Sequence, residues 1–557
     1  MRQLTESAYR DDFVGRGSWN NSSRVAVRRR NWRVVAVVLA AAVGLMTVGG
    51  CCSLPQWYRN GCKVGPNYLK PAAPVESQWI DFQRDPRVSQ APVDTSAWWT
   101  VFNDPQLNDL VDRASRQNLT LRIAGTRILQ AQAVRGIAAG NLFPQVQQSF
   151  GSYDRVQVSK TIANSPPVKN FDVWSTGFNL SWELDFWGRF RRGLESADAA
   201  LDSTIEGYDN VLVLLISDVA STYVQIRTLQ EELRLVKQNV ELQKESLKIA
   251  EAQYNAGQAD MADVLQTRNN VEQTEALIPA LEAALRQANN ALCILLGEPP
   301  RDMLAELGDG PIPVAPPDVA LGIPAELLRR RPDVRQAERI VAAQCAQIGV
   351  AESELYPHFA LNGALQWQAE DLSDLFNAPS VGGSVGPSFV WNILNYCRIR
   401  NSVLQQDALF QQAVYSYQDT VLKAQREAED AIVGFLKAKD QTEQLQLAVR
   451  DIDELNSILL TQANAGATNF DRVFVVQAQA TAQQDNLATS TGNIALNLIR
   501  VYRALGGGWQ IRLQPSSPVD GPATLPMPPE EETSLKQPVL LPPTTAMSLP
   551  APTEPQL

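Results

Sequence analysis

Histidine is almost missing from this chain: His358 stands alone among 557 residues. That removes most histidine-based catalysis and metal binding, and the neighbouring Pro357 at a strand start gives His358 a structural reading. Six cysteines occur without a C-x-x-C pair, so neither a zinc site nor a dithiol redox centre is spelled out. Cys293, Cys345 and Cys397 fall inside helix and strand patterns and read as small packing residues. No glycine-rich phosphate loop, nucleophile elbow or paired metal-ligand spacing is found. Acidic residues outnumber basic ones, 60 to 49, and the net charge of -11 argues against nucleic acid as a partner. The one triple-basic run after the N-terminal region, Arg329 to Arg331, suits a salt-bridged helix end better than a phosphate site. Long apolar runs are lacking as well: Val34 to Val48 falls short of the ~20 residues that a membrane helix needs. No cofactor is expected, and nothing points to an enzyme.

What the chain does have is a repeat. Gly177 and Gly386, Trp182 and Trp391, Arg189 and Arg398, Tyr208 and Tyr417, Gly257 and Gly466, and Gly297 and Gly506 share one offset (466 − 257 = 209). A fixed offset over such a length marks two copies of one supersecondary unit. Upstream, Phe143-Pro144 returns as Tyr356-Pro357 at a different offset (357 − 144 = 213), which places a four-residue difference inside the intervening hairpins.

Each unit begins with period-2 segments. Trp174, Thr176, Phe178, Leu180, Trp182 and Leu184 alternate with Ser175, Gly177, Asn179, Ser181 and Glu183. Val385, Pro387, Phe389, Trp391 and Ile393 repeat the pattern, and Phe359, Leu361, Leu365 and Trp367 follow it; Val146, Gln148, Phe150 and Ser152 do so less clearly. Such strands fit a barrel wall with lipid on one side and water on the other, and parity alone also fits a half-buried soluble strand. The strands are expected at about 145–154, 173–185, 357–368 and 384–394, with Trp174, Phe178, Trp182, Phe389 and Trp391 toward lipid.

After Gly188 the period changes. Leu229, Leu233, Val236, Val240, Gln243, Leu247, Ala250 and Tyr254 step by fours and threes, a heptad seam. At ~1.5 Å per residue, a helix from Gly188 to Tyr254 is roughly 100 Å long, suited to crossing a wide aqueous space. Asn255-Ala256-Gly257 ends it, and a second helix from about Asp260 to Leu296 brings the chain back.

The N-terminal region reads as a signal peptide, with Arg24, Arg28, Arg29, Arg30 and Arg33 before the apolar stretch and Val48-Gly49-Gly50-Cys51 at its end. Small residues before a cysteine resemble a bacterial lipoprotein box, which makes Cys51 the candidate for acylation and Cys52 the alternative. Arg29-Arg30 also admits a twin-arginine export signal. The expected organisation is 1–50 signal peptide, 51–118 lipidated tether and equatorial helix, 119–297 first repeat, 298–325 proline-rich linker, 326–508 second repeat and 509–557 disordered tail.

Four stretches carry a resemblance: Lys63-Val64-Gly65-Pro66-Asn67-Tyr68, Trp98-Trp99-x-x-Phe102-x-Asp104-Pro105-x-Leu107, Ile323 to Val334 with its Arg329-Arg330-Arg331-Pro332-Asp333 core, and Tyr502-Arg503-Ala504-Leu505-Gly506-Gly507-Gly508-Trp509. Over about residues 63–509 the chain resembles the TolC-like outer-membrane efflux factors, in particular the lipoprotein branch serving resistance-nodulation-division (RND) pumps. The resemblance implies a mainly α protein with a membrane β-barrel portion: a homotrimer whose twelve strands form one barrel, continued by a coiled-coil helical tunnel. It implies a passive duct for small molecules, set in outer-membrane lipid and joined to a periplasmic membrane-fusion adaptor and an inner-membrane RND pump. The matching docking positions are Tyr254, Gly257, Asp263 and Val264 in the first unit, and Asn464, Gly466, Asp471 and Val473 in the second. Relatives often carry an acid near the inner constriction where this chain has Val475, which leaves Asp471 as the nearest substitute. A type I protein-secretion factor would share the fold, and a periplasmic coiled-coil scaffold lipoprotein would explain the helices but not the strands.

Overall fold

Helix length dominates the architecture, and the two longest helices are copies of one another. In this computed structural model the described residues run from 54 to 513, without 77, 81–84, 86, 90–93, 160–169, 317–318, 321–328 and 465–469. The signal peptide, Cys51, Cys52, Gly466 and nearly all of the C-terminal tail lie outside them. A short helix α1 (Leu54–Arg59) leads into an extended strap, followed by α2 (Pro105–Gln117), α3 (Leu119–Gly140), the strands β1 (Val146–Gln157) and β2 (Asn170–Leu184), and α4 (Arg189–Asn255). The chain returns through α5 (Met261–Glu275) and α6 (Leu277–Leu296). The second unit is α7 (Pro332–Ser353), β3 (His358–Ala369), β4 (Val381–Val390), α8 (Arg398–Asn464) and α9 (Phe470–Ala504). Both α4 and α8 span 67 residues, and both their ends differ by the repeat offset (398 − 189 = 209; 464 − 255 = 209).

Local chemistry explains the boundaries. Asp104 caps α2, its Oδ1 accepting from the backbone N–H groups of Gln106 and Leu107, with Pro105 in the first turn. Gly257, Gly297 and Gly506 each end a helix at positive φ, with paired backbone bonds that close the last turn (Gln258 N to Gln253 O and Gly257 N to Tyr254 O at the first). The returning segment of the first unit is broken at Ala276, where one helix was expected from about 260 to 296. Pro279 lies three residues beyond the break and has no N–H to give the ladder; the second unit has Ala488 there and α9 runs unbroken.

The core gathers at mid-height. Trp98, Trp99 and Phe102 pack with Leu107, Leu110 and Val111 of α2, Leu212 to Ile226 of α4, Leu292 and Leu296 of α6, and Leu498 to Leu505 at the end of α9. Trp98 stacks on Tyr502 at 5.3 Å, so two of the sequence motifs meet face to face. One 18-residue window of α4 has mean hydropathy 1.3, enough for a membrane span by composition, but most of it is buried in this core. Arg331 is buried at the start of α7, donating to the Ala504 carbonyl (2.6 Å) and pairing with Asp333 and Glu427; it is a salt-bridged helix end.

Lys63 to Tyr68 clamps the strap onto the α4–α7 groove. The buried Arg192 guanidinium donates to the carbonyls of Val64 and Gly65 and to Asn67 Oδ1, each at 3.0 Å. Gly65, at φ +80°, crosses so close to α7 that a Cβ there would lie 2.4 Å from the Gly349 Cα. Farther along, Tyr68 and Lys70 reach Glu338, Gln418 donates to Ala72 O, and Arg87 pairs with Asp440, so the strap follows the helices over much of their length. Gly65→Ala meets both a contact and a left-handed backbone, and is expected to cost about 1–3 kcal/mol. Limited proteolysis checks it: cleavage within 61–90 should accelerate, while the core around Trp98 stays protected.

Candidate functional site: a two-faced sheet and a helical tip

The four strands form one antiparallel sheet in the order β1-β2-β3-β4. Residues paired across strands point to the same side, so the register assigns the faces. Phe178 stands beside Ser149 and Leu365, Trp182 beside Leu361, Trp174 beside Tyr153 and Ala369, and Phe389 beside Phe359. The other face holds Ser175, Gly177, Asn179 and Ser181 with Asn362, Gln366, Gln368 and Ser388. There Ser181 donates to Asn362, which donates to Ser388 (both 2.7 Å), a polar ladder across three strands. β1 departs from hydropathy: Val146 and Phe150 pair with Ser181 and Gly177, on the polar side, while Gln147, Ser149, Gly151 and Tyr153 share the apolar one. Hairpin register, rather than a short apolar run, decides that strand's face.

Aromatic residues concentrate at both ends of the apolar face. Tyr153 and Trp174 meet at 4.5 Å near the loops, with Trp367 and Phe376 at 6.4 Å. Phe359 and Phe389 mark the helix end with Trp182. From Trp174 to Trp182 is roughly 26 Å along the strand, comparable to the apolar band of an outer-membrane barrel. Trp391 lies just past the end of β4 rather than in it, yet it mirrors Trp182: their indoles donate to Leu355 O (3.0 Å) and Leu142 O (3.2 Å). Donors differ by 209 and acceptors by 213 (355 − 142), so both repeat offsets meet in one interaction. Cys397 also departs from expectation. It is exposed, with φ 64°, at the quasi-equivalent of Gly188 (397 − 188 = 209), and is a turn residue rather than a packing one.

At the far end, Asp260 and Asp263 form a capping box over the first turn of α5. Tyr254 is exposed, and Gly257 has φ +73° with open space where a side chain would go. Val264 and Val473 differ from the expected docking role: both are buried, with Ala250, Ala463 and Phe474, and hold the two hairpins together from inside. Asn464 closes α8 and Asp471 lies in the first turn of α9, while Val475 is exposed.

Between this tip cluster and the mid-height core, α4 and α9 meet through a polar seam that the heptad reading marked only at Gln243. Thr489 donates to Glu232 (2.8 Å), Asn239 to Gln484 (2.9 Å) and Gln477 to Ser246 (2.9 Å). Burial pushes the Glu232 carboxyl above its ordinary range, with the Asp485 charge adding to the shift. No cluster of metal-ligating side chains occurs among the described residues.

The outer membrane efflux protein family matches residues 110–298 and 323–507, the two halves of the repeat. The chain belongs to this family. It is 32% identical to nodulation protein T of Rhizobium leguminosarum bv. trifolii over 460 residues, 81% of this chain and 95% of that protein. It is 28% identical to the cation efflux system protein CusC of Escherichia coli O6:H1 over 452 residues, 81% of this chain and 96% of the relative. Among solved structures, the outer-membrane channel OprN superposes with TM-score 0.76 at 30% identity, over 80% of this chain and 99% of that one. The protein is therefore an outer-membrane efflux channel of TolC-like fold. An efflux channel has to hold its apolar face in hydrocarbon, so an arginine at Phe178 should cost about 2–4 kcal/mol, more than one at Asn179. Refolding titrations into lipid vesicles compare the two; equal tolerance would contradict the face assignment.

Proposed function

We propose that three copies of this chain close one twelve-stranded barrel and a helical tunnel below it, the passive exit duct of a tripartite RND efflux system for small molecules. The observation that carries the reading is an imbalance between the two units. α7 packs between α4 and α8, whereas its counterpart α3 packs on α4 and leaves Leu119, Ile123, Leu129, Val134 and Ile137 exposed. A neighbouring copy's α8, the counterpart of α4, would cover α3 as α4 covers α7 within the chain. The outer edges of β1 and β4 would then pair with the neighbours' strands, as lipid requires.

Cys51 fits an acylated N-terminus at the inner leaflet. It lies three residues before Leu54 (54 − 51 = 3), and α1 packs Trp57 on Phe186 at 5.1 Å, where the strands give way to helices. Cys52 would serve from nearly the same place.

In the trimer each chain would present two helical turns, giving six tips, a number that suits a six-membered ring of a periplasmic adaptor. Tyr254, Gly257 and Asp263 would offer the first tip's surface, with Val264 and Val473 supporting it from inside, and Asn464, Gly466 and Asp471 are the matching sequence positions of the second. Asp471 is our candidate for the acid that Val475 does not supply near the closed end. Gly257→Val meets no neighbouring atom and strains only its own left-handed backbone, by about 1–2 kcal/mol, leaving the barrel intact. The variant is expected to insert and assemble normally yet fail to restore drug resistance to a strain lacking the protein. Full efflux by Gly257→Val would place docking elsewhere.

A further inference from the structure

The polar face of the sheet is uncharged from Ser152 down to Ser181, and its first charged residue toward the helices is Glu183 on β2. Glu183 belongs to a four-residue cluster. His358 Nδ1 lies 2.9 Å from Glu183 Oε1, and His358 Nε2 lies 3.3 Å from Glu354 Oε2 at the end of α7. Arg189, opening α4, bridges the same two carboxylates at 3.3 Å and 3.1 Å. The side chains come from β2, β3, α4 and α7. The residue paired with His358 on β4, Val390, is apolar, and the nearby Asp185 is taken by Arg191.

The repeat shows that the fold does not require these charges. The quasi-equivalent positions are Asn392, Arg398, Asn141 and Gln145 (392 − 183 = 209; 398 − 189 = 209; 354 − 141 = 213; 358 − 145 = 213), at the two outer edges of the sheet, where they would meet only between neighbouring copies. Both carboxylates are replaced by amides, the imidazole is replaced by an amide, and the arginine alone is kept. The set between copies would thus be neutral but for its arginine, whereas the one within the chain carries two acids and the chain's single histidine.

We propose that Glu183, Glu354, Arg189 and His358 form a charged collar at the inner mouth of the barrel that sorts solutes by charge as they pass from tunnel to barrel. The proposal rests on the trimeric duct, which places three such clusters at one level facing the lumen. Rings of charged side chains select ions where a passage narrows to a polar wall with no charge of its own. Each ring nitrogen of His358 faces a carboxylate oxygen, and both can donate only when the imidazole carries two protons.

The test copies the amide junction into the charged one: Glu183→Asn, Glu354→Asn and His358→Gln together, with Arg189 kept. Single channels in planar bilayers under a potassium chloride gradient report the reversal potential. Removing two carboxylates from each of three chains is expected to lower the cation-to-anion permeability ratio about twofold or more. Glu354→Gln alone, at a helix end, should shift it in the same direction and serves where the triple variant does not insert. An unchanged permeability ratio overturns the collar. Channel formation by the natural protein in the same recordings tests the trimeric duct separately.

Discussion

A four-stranded sheet has two open edges, and hydrocarbon offers no partner for their backbone N–H and C=O groups. In this chain those edges belong to β1 and β4, whose inner sides are already paired with β2 and β3. Much else follows from that constraint. On the proposed assembly the strands would meet strands of other chains, the helices that continue them would meet as well, and the exposed apolar side of α3 would be covered by a neighbour. A soluble sheet would cover such edges with loops, bulges or charges; here they run for ten or more residues with little charge.

In the proposed trimer, duplication would turn this constraint into a ring. The 209 offset holds from the last barrel strand through the helical hairpin, and the 213 offset holds before it, so each strand-to-helix junction mixes residues from both registers. The indoles of Trp182 and Trp391 show the junction's invariant part, a bond from strand end to helix-end carbonyl. The Glu183 and Asn392 positions show its variable part. Quasi-symmetry fixes backbone geometry and leaves side-chain charge free, which is how two junctions of one shape come to have different electrostatics.

Much of this was legible from residues alone because period and punctuation are local. The alternation around Phe178 and Trp182, the glycines ending each helix and Asp104-Pro105 opening α2 all act within a few residues of themselves. What escaped depended on contacts between distant segments. β1 took its face from pairing with β2, so Phe150 points with Gly177 despite its hydropathy. Val264 and Val473 lie at helix tips in sequence but inside the two-hairpin core in space. The break at Ala276 was signalled by Pro279, and the left-handed Cys397 by its offset from Gly188. His358 looked structural beside Pro357, and only its two carboxylate partners reveal a charged cluster.

Native mass measurement of the complex extracted from outer membranes tests the central claim most directly, since edge closure by neighbouring copies fixes the number of chains. The account predicts three chains in one particle, each beginning at Cys51 or Cys52 and carrying the added mass of its lipid. A monomer or a dimer that retains channel activity would contradict it.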